Sequence, residues 1–261
     1  MKREVFLRVG GPLILLALIL AAWEISINVF DIQQMILPKP RQVVAAMING
    51  FGNGIYQKHL AVTGQAVVSG YVLGVVFGIA LGAPIALSKT WEALLYPYLL
   101  SLQSMPKIAL APLMMIWVGF GIESKILITM IVALFPVLVN TVVGLRTVDA
   151  DRIALIRSLK GGTWAEFVWV RLPSAAPFIF AGMKTAVVLA LLGAIAAEFV
   201  GAEAGLGYLM TQLMFQLDTP GVFAILILLG AIGVVLYLVA DWAQRKVIFW
   251  DLSSRERWAA K

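Results

Sequence analysis

From Asp149 to Pro177 the chain reads DADRIALIRSLKGGTWAEFVWVRLPSAAP, a polar, helix-forming stretch between long apolar ones. Arg152, Arg157, Lys160 and Arg171 make it the densest cluster of cations between two hydrophobic segments. Asp149 or Asp151 can cap a helix from Arg152 to Leu159, because a short carboxylate accepts from the free N–H groups of a first turn. Gly161-Gly162 is expected to stop that helix with a left-handed turn. Thr163 and Glu166 stand at capping-box spacing for a second helix, which Leu172-Pro173 closes. Ile153, Ile156 and Leu159 share a face of the first helix, and Phe167 and Val170 share one on the second. Isolated helices below about 12–15 residues are marginal, so these two need support, either from a partner protein or from lipid headgroups. The chemistry on offer here is docking.

Bond-making chemistry finds little to work with. The chain has no cysteine, which removes disulfides, thiolate metal sites and cysteine nucleophiles, and its single histidine, His59, builds no His-rich zinc site. The nearest approach to a phosphate-binding loop, Leu87-Ser88-Lys89-Thr90, lacks the glycine before lysine that lets the backbone cradle phosphate. Methionines are scattered rather than paired, which suits adaptable packing better than soft-metal transport. No His, Asp and Cys set converges, so a membrane-embedded enzyme ranks last among the functional classes.

The elements around the island are membrane spans. Of 261 residues, 61% are hydrophobic and 13% charged, with mean hydropathy +0.95, against about 45–50% and about 25% in soluble domains. A span needs about 20 apolar residues, and six segments qualify: Gly11–Val29, Thr63–Leu87, Leu94–Val118, Lys125–Leu145, Ala175–Val200 and Gly221–Ala243. Met105-Pro106-Lys107 and Pro112 interrupt the third. With a cytoplasmic N-terminus, 14 Lys and Arg lie inside, 4 outside (Lys39, Arg41, Lys58, Lys125), and Lys107 and Lys184 within spans. That bias places both termini in the cytoplasm; the same placement beside spans, despite a net charge of +6, argues against nucleic acid as a partner. Lys2, Arg3 and Arg8 before an apolar run also suit a signal peptide, but the run continues past Trp23 without a small-x-small cleavage site.

Charges inside spans are functional candidates because lipid penalises them. Lys107 either pairs with Glu198, faces an anionic solute, or binds carbonyls freed by the adjacent proline. Glu198, near the outer end of its span, is a solvated gate residue or a structural acid. Lys184 and Glu24 are close enough to the interface to snorkel. Gly201–Pro220 is too polar to span and too apolar for an ordinary loop, so a re-entrant or docking segment is expected there.

Arg157-Ser158-Leu159 followed by Trp164, Phe167, Val170 and Leu172-Pro173 resembles the cytoplasmic "EAA" loop of binding-protein-dependent ABC importer permeases. Registered on Leu172-Pro173, the family's aliphatic position is Val170, its glycine falls on Lys160 and its Glu-Ala-Ala on Ala154-Leu155-Ile156; Gly161 is expected to supply the turn. The resemblance runs on through Leu37-Pro38-Lys39-Pro40, SMPKIALAPL (Ser104 to Leu113), WVGFG (Trp117 to Gly121), FPVLVNTVVGLR (Phe135 to Arg146) and AEFVGAEAGLGY (Ala197 to Tyr208). Together these look like the nitrate/sulfonate/taurine subgroup, which also contains transporters of thiamine-precursor pyrimidines.

The resemblance implies an all-α, type I importer permease-like membrane protein of about six spans. Its parts are an N-terminal span (1–30), an extracytoplasmic connection (31–62), a core (63–245) with a coupling loop (149–173), and a cytoplasmic tail (246–261). It implies the bacterial cytoplasmic (inner) membrane, two permease copies, ABC ATPase subunits that hold the ATP and Mg, and an extracytoplasmic solute-binding protein; no cofactor sits on this chain. Arg152, Leu155, Ile156, Arg157, Ser158, Leu159, Lys160, Gly161, Gly162, Trp164 and Phe167 would meet the ATPase. Met105, Lys107 and Glu198 would lie along the pathway of a small, sulfonate-, nitrate- or taurine-like anion, with a pyrimidine-type solute as the alternative. An ion-coupled secondary transporter is disfavoured because no second half mirrors the one broken span.

Overall fold

A computed structural model describes residues 10–250, apart from the side chains of Tyr96 and Leu100. Lys2, Arg3, Arg8, Arg255, Arg257 and Lys261, and with the last three most of the expected tail, lie outside the described residues. The elements, all helical, are α1 (Gly11–Val29), α2 (Pro40–Gly52), α3 (Ile55–Leu87), α4 (Lys89–Ser104), α5 (Ala111–Val118), α6 (Ile122–Arg146), α7 (Ala150–Ser158), α8 (Thr163–Gly201), α9 (Leu206–Phe215) and α10 (Thr219–Val247). Five of them, α1, α3, α6, α8 and α10, are long and apolar enough to cross a membrane. The bent pair of α4 with Lys107–Val118 makes a sixth if it counts as one span.

α6 is the axis of the bundle. It lies between α3 and α8, and its Thr129 and Thr141 hydroxyls donate to carbonyls of its own preceding turn at 2.7 Å each, so neither hydroxyl is left bare in the core. The close approach comes from glycine. Gly70, Gly74, Gly78 and Gly82 present a bare stripe on α3 to Thr129, Ala133, Val137 and Thr141. A methyl group built at Gly78 would stand 2.8 Å from Val137 Cβ. This is the small-residue packing by which spans associate when lipid gives no hydrophobic drive. α1 lies at the edge of that core and α10 enters it through Ala224, Ile225 and Leu229, while most of the apolar side chains of the two helices together are exposed where lipid would cover them.

Three boundaries differ from the sequence expectation. α3 begins at Ile55 rather than Thr63, which brings His59 into the helix. The third span does not merely kink: its two helices meet at 90°. Pro106 excludes helix from the residue before it, and Met105 is extended (φ −72°, ψ 141°). Finally, Leu172-Pro173 does not separate the island's second helix from the next span. Thr163–Gly201 runs on as one 39-residue helix. A π-helical stretch over Phe167–Arg171, where Leu172 N–H reaches Phe167 O, widens the turn ahead of the proline and lets the chain pass.

Lys184 is not a snorkelling bystander. Its ammonium pairs with Asp241 at 3.1 Å, and Arg245 holds the same carboxylate, tying α8 to α10.

The glycine stripe gives a paired test. Gly78→Ala should destabilise the detergent-solubilised protein by about 1–3 kcal/mol through overpacking. Gly64→Ala lies on the same helix with nothing within 4 Å and should be neutral or gain up to about 1 kcal/mol. Thermal unfolding of both variants checks the sign; equal effects would contradict close packing of α3 on α6.

Candidate functional site

The island folds as a helical hairpin, α7 and the start of α8. Asp149 caps α7, its Oδ1 accepting from Asp151 N–H at 2.9 Å. At the other end Gly161 N–H donates to Ile156 O (2.9 Å) and Lys160 N–H to Arg157 O (3.0 Å), the bond pair of a Schellman turn. The left-handed residue of that turn is Lys160, at φ 59°, rather than either glycine. Lys160 thus takes the place where the family pattern has its glycine. Gly161 serves differently: a Cβ there would stand 2.8 Å from Ile156 O.

No capping box forms. Gly162 is the N-cap of α8 and gives no side-chain cap. Glu166, 7% exposed, instead accepts from Arg157 (Nη2, 2.9 Å) on one oxygen and from Arg171 (Nε 2.8 Å, Nη2 2.6 Å) on the other. Arg171 also reaches Leu145 O, in the last turn of α6, at 3.3 Å. Two guanidinium groups offer charge-assisted bonds that outcompete a neutral backbone N–H. One carboxylate therefore clamps α7, α8 and the end of α6.

The exposed face also differs from the periodic pattern. Ile153 and Ile156 are half-buried, Phe167 is half-buried against Leu145, Ala175 and Ile179, and Val170 is buried. Leu155 (61% exposed), Leu159 (71%) and Trp164 (75%) point away. With them on the open side lie Arg152, the outer part of Arg157, Lys160 and the extended Gly162; Ser158 turns its hydroxyl back to Leu155 O. The hairpin thus presents a small apolar surface with a cationic rim.

The other candidates separate. Met105 and Lys107 sit at the 90° break, where Lys107 Nζ donates to Gln103 O (2.9 Å) and stands 4.7 Å from the centre of the Phe135 ring. Gln103 O is the acceptor that Lys107 N–H would have met in an unbroken helix, so the side chain replaces the lost backbone donor. Lys107 makes no hydrogen bond to Glu198.

Glu198 is not solvated. It is 1% exposed, accepting from Thr63 Oγ1 (2.8 Å) and Gly207 N–H (2.8 Å). Thr63 Oγ1 accepts from Leu206 N–H (2.8 Å), His59 Nδ1 from Gly205 N–H (3.0 Å), and Lys125 Nζ donates to Ala204 O (2.6 Å). Lys125, counted on the outer side at the start of its span, is 3% exposed. Side chains from α3, α6 and α8 thus pin the turn Ala204–Gly207 and orient α9, the helix that fills the Gly201–Pro220 segment. Gly205, at φ 126°, lies against the Glu198 carboxylate with no room for a Cβ. The partners His59, Thr63 and Lys125 escaped the sequence reading; the GLG run after an acid was their one local signal.

The described residues thus form a bundle of apolar helices with a clamped helical hairpin at one end. The chain belongs to the family described as binding-protein-dependent transport system inner membrane component, whose model matches residues 74–249. It is 33% identical to the formylaminopyrimidine transport permease of Halalkalibacterium halodurans over 86% of this chain and 89% of that one. It is 31% identical to the riboflavin transport system permease of Chloroflexus aurantiacus over 93% of this chain and 91% of that one. To a putative aliphatic sulfonates permease of Bacillus subtilis it is 31% identical, over 91% and 86%. Its fold resembles the inward-facing MetNI methionine ABC transporter at TM-score 0.58 and 19% identity, covering 79% of this chain and 94% of that one. The protein is therefore an inner-membrane permease component of an ABC importer, a transport subunit rather than an enzyme.

Lys160→Gly should remove the left-handed strain, about 1–2 kcal/mol, and slow hydrogen exchange over 150–162. Gly161→Ala should speed it. Identical exchange in both variants would contradict the turn described here.

Proposed function

We propose that this chain, paired with a second copy, lines the membrane pathway and receives force from ABC ATPase subunits through the α7–α8 hairpin. The observation that carries this is the Glu166 clamp beneath an exposed apolar face. Leu155, Leu159 and Trp164 offer surface to a partner, while Arg157, Glu166 and Arg171 join that surface to α6 and to the span itself. At about 1.5 Å per residue, the 39 residues of α8 reach about 58 Å, well beyond a hydrocarbon core of about 30 Å. The helix extends into the cytoplasm as a lever. ATP and Mg belong to the ATPase, both termini are cytoplasmic, and an extracytoplasmic binding protein delivers the solute. The division into an N-terminal span, an outer connection, a core with its coupling loop at 149–173 and a cytoplasmic tail goes with this reading.

The solute is a small nitrogen heterocycle of the aminopyrimidine kind in preference to a sulfonate, nitrate or taurine. The anion reading rested on Lys107 and on the resemblance to the nitrate/sulfonate/taurine subgroup; of these, the Lys107 ammonium is engaged with a carbonyl and an aromatic face. The relative named for formylaminopyrimidine agrees with this preference, and those named for aliphatic sulfonates and taurine keep the anion as the second reading.

Leu155→Asp with Leu159→Asp leaves the Glu166 clamp intact and places charge on the docking face. In membranes with normal permease levels, uptake should fall at least tenfold while the pair of ATPase subunits loses its response to the binding protein. Undiminished, coupled uptake in this double variant would remove the hairpin from the mechanism.

A further inference from the structure

Between α4 and α6, toward the Arg146 end of α6, lies a cavity of about 170 Å³ that none of the relationships above assigns. Its walls are apolar: Leu99 from α4 faces Phe135, Leu138 and Val139 from α6. The polar side-chain ends in its lining come from Gln103 and Arg146. The size is informative. A cavity of about 150 Å³ lined by Leu, Ile and Phe holds a single benzene ring, so this one admits one six-membered ring with small substituents.

The polar ends decide the chemistry. Gln103 supplies an amide that both donates and accepts, which matches the alternating ring nitrogen and amino group of an aminopyrimidine. Arg146 does not offer a free charge. Its Nη1 donates to Glu92 Oε1 and its Nη2 pairs with Glu92 Oε2, each at 2.8 Å, and Nη2 also donates to Ile85 O at 3.1 Å. A sulfonate entering here would have to compete with Glu92 for Arg146 and with the Gln103 carbonyl for Lys107. A tricyclic ring system exceeds the space. An uncharged single ring satisfies volume, walls and ends together.

The cavity also connects to the broken span. Lys107, at the bend, holds the Gln103 carbonyl and covers the Phe135 ring, so the residue that stabilises the break also positions two of the cavity's walls. Gln103 and Val143 are exposed at its mouth. The geometry points to a binding site for a single-ring, uncharged nitrogen heterocycle in this cavity, set by Gln103 and Phe135 and closed to anions by the Arg146–Glu92 pair. This rests on the heterocycle reading above and adds to it a site and a size limit within one permease copy.

The test uses the permease–ATPase complex in nanodiscs, with equilibrium binding of 4-amino-2-methylpyrimidine, 4-aminoquinazoline and taurine, and with uptake of labelled pyrimidine by cells at matched permease levels. The native complex should bind the pyrimidine and neither of the others. Val139→Phe, which fills the cavity, should weaken pyrimidine binding at least tenfold. Leu99→Ala, which enlarges it, should admit the bicyclic quinazoline and keeps the test open if the first variant fails to assemble. Pyrimidine uptake that persists with unchanged binding in both variants would overturn the site and leave the transport reading standing. Uptake and binding of taurine in place of the pyrimidine would overturn both.

Discussion

The structure turns on a single buried carboxylate. Glu166 sits where the hairpin meets the bundle, and its two oxygens are divided between Arg157 of α7 and Arg171 at the entry to the span. An isolated acid at 7% exposure would be costly. Two cations remove that cost and create a joint in which α7, α8 and the last turn of α6 move together. Remove the carboxylate and two guanidinium groups face one another across the hairpin, with nothing to hold its docking face at a fixed angle to the membrane.

A second knot at the other end of the bundle follows the same logic with different groups. Glu198 has no guanidinium; it is held by a hydroxyl and a backbone N–H, and the neighbouring turn is held by His59 and Lys125. α9 is thereby fixed to α3, α6 and α8 at once. Between the two knots runs the glycine stripe of α3 against α6, which leaves no lateral slack. This rigid axis, with polar knots at both ends, runs beside a broken span in which Lys107 holds the Gln103 carbonyl at the bend while Ala111 and Met115 pack against Ile128, Val132 and Ala197.

Much of this was legible in the sequence, for physical reasons that are easy to state. Spans announce themselves because lipid demands uninterrupted apolar runs, and the break at Met105-Pro106 follows from the covalent structure of proline. A two-helix island also follows, since Asp149 and Gly161 mark its first helix locally. What the sequence hid was pairing. Thr63 and Glu198 meet across a separation of 135 residues, and Lys125 and Ala204 across 79; no local pattern carries such information. Glu166 misled because the same spacing that suggests a capping box also places it beside two arginines, and the stronger donors won. The exposed face differed because the helical period groups Ile153 and Ile156 with Leu159, whereas in the fold the two isoleucines are half-buried and Leu155 joins Leu159 on the open side. Lys160 in the left-handed position was unreadable for a simpler reason: two glycines stood next to it.

The most direct measurement is site-specific photocrosslinking in native membranes, with a photoreactive residue placed in turn at Leu155, Leu159, Trp164 and Ile179. Crosslinks from Leu155, Leu159 and Trp164 to a Walker-motif ATPase, with none from Ile179 in the buried core, are the expected result. Crosslinks from all three hairpin positions to lipid alone would mean that the hairpin lies on the headgroups, and would contradict the account of it as the point where ATP hydrolysis meets the membrane pathway.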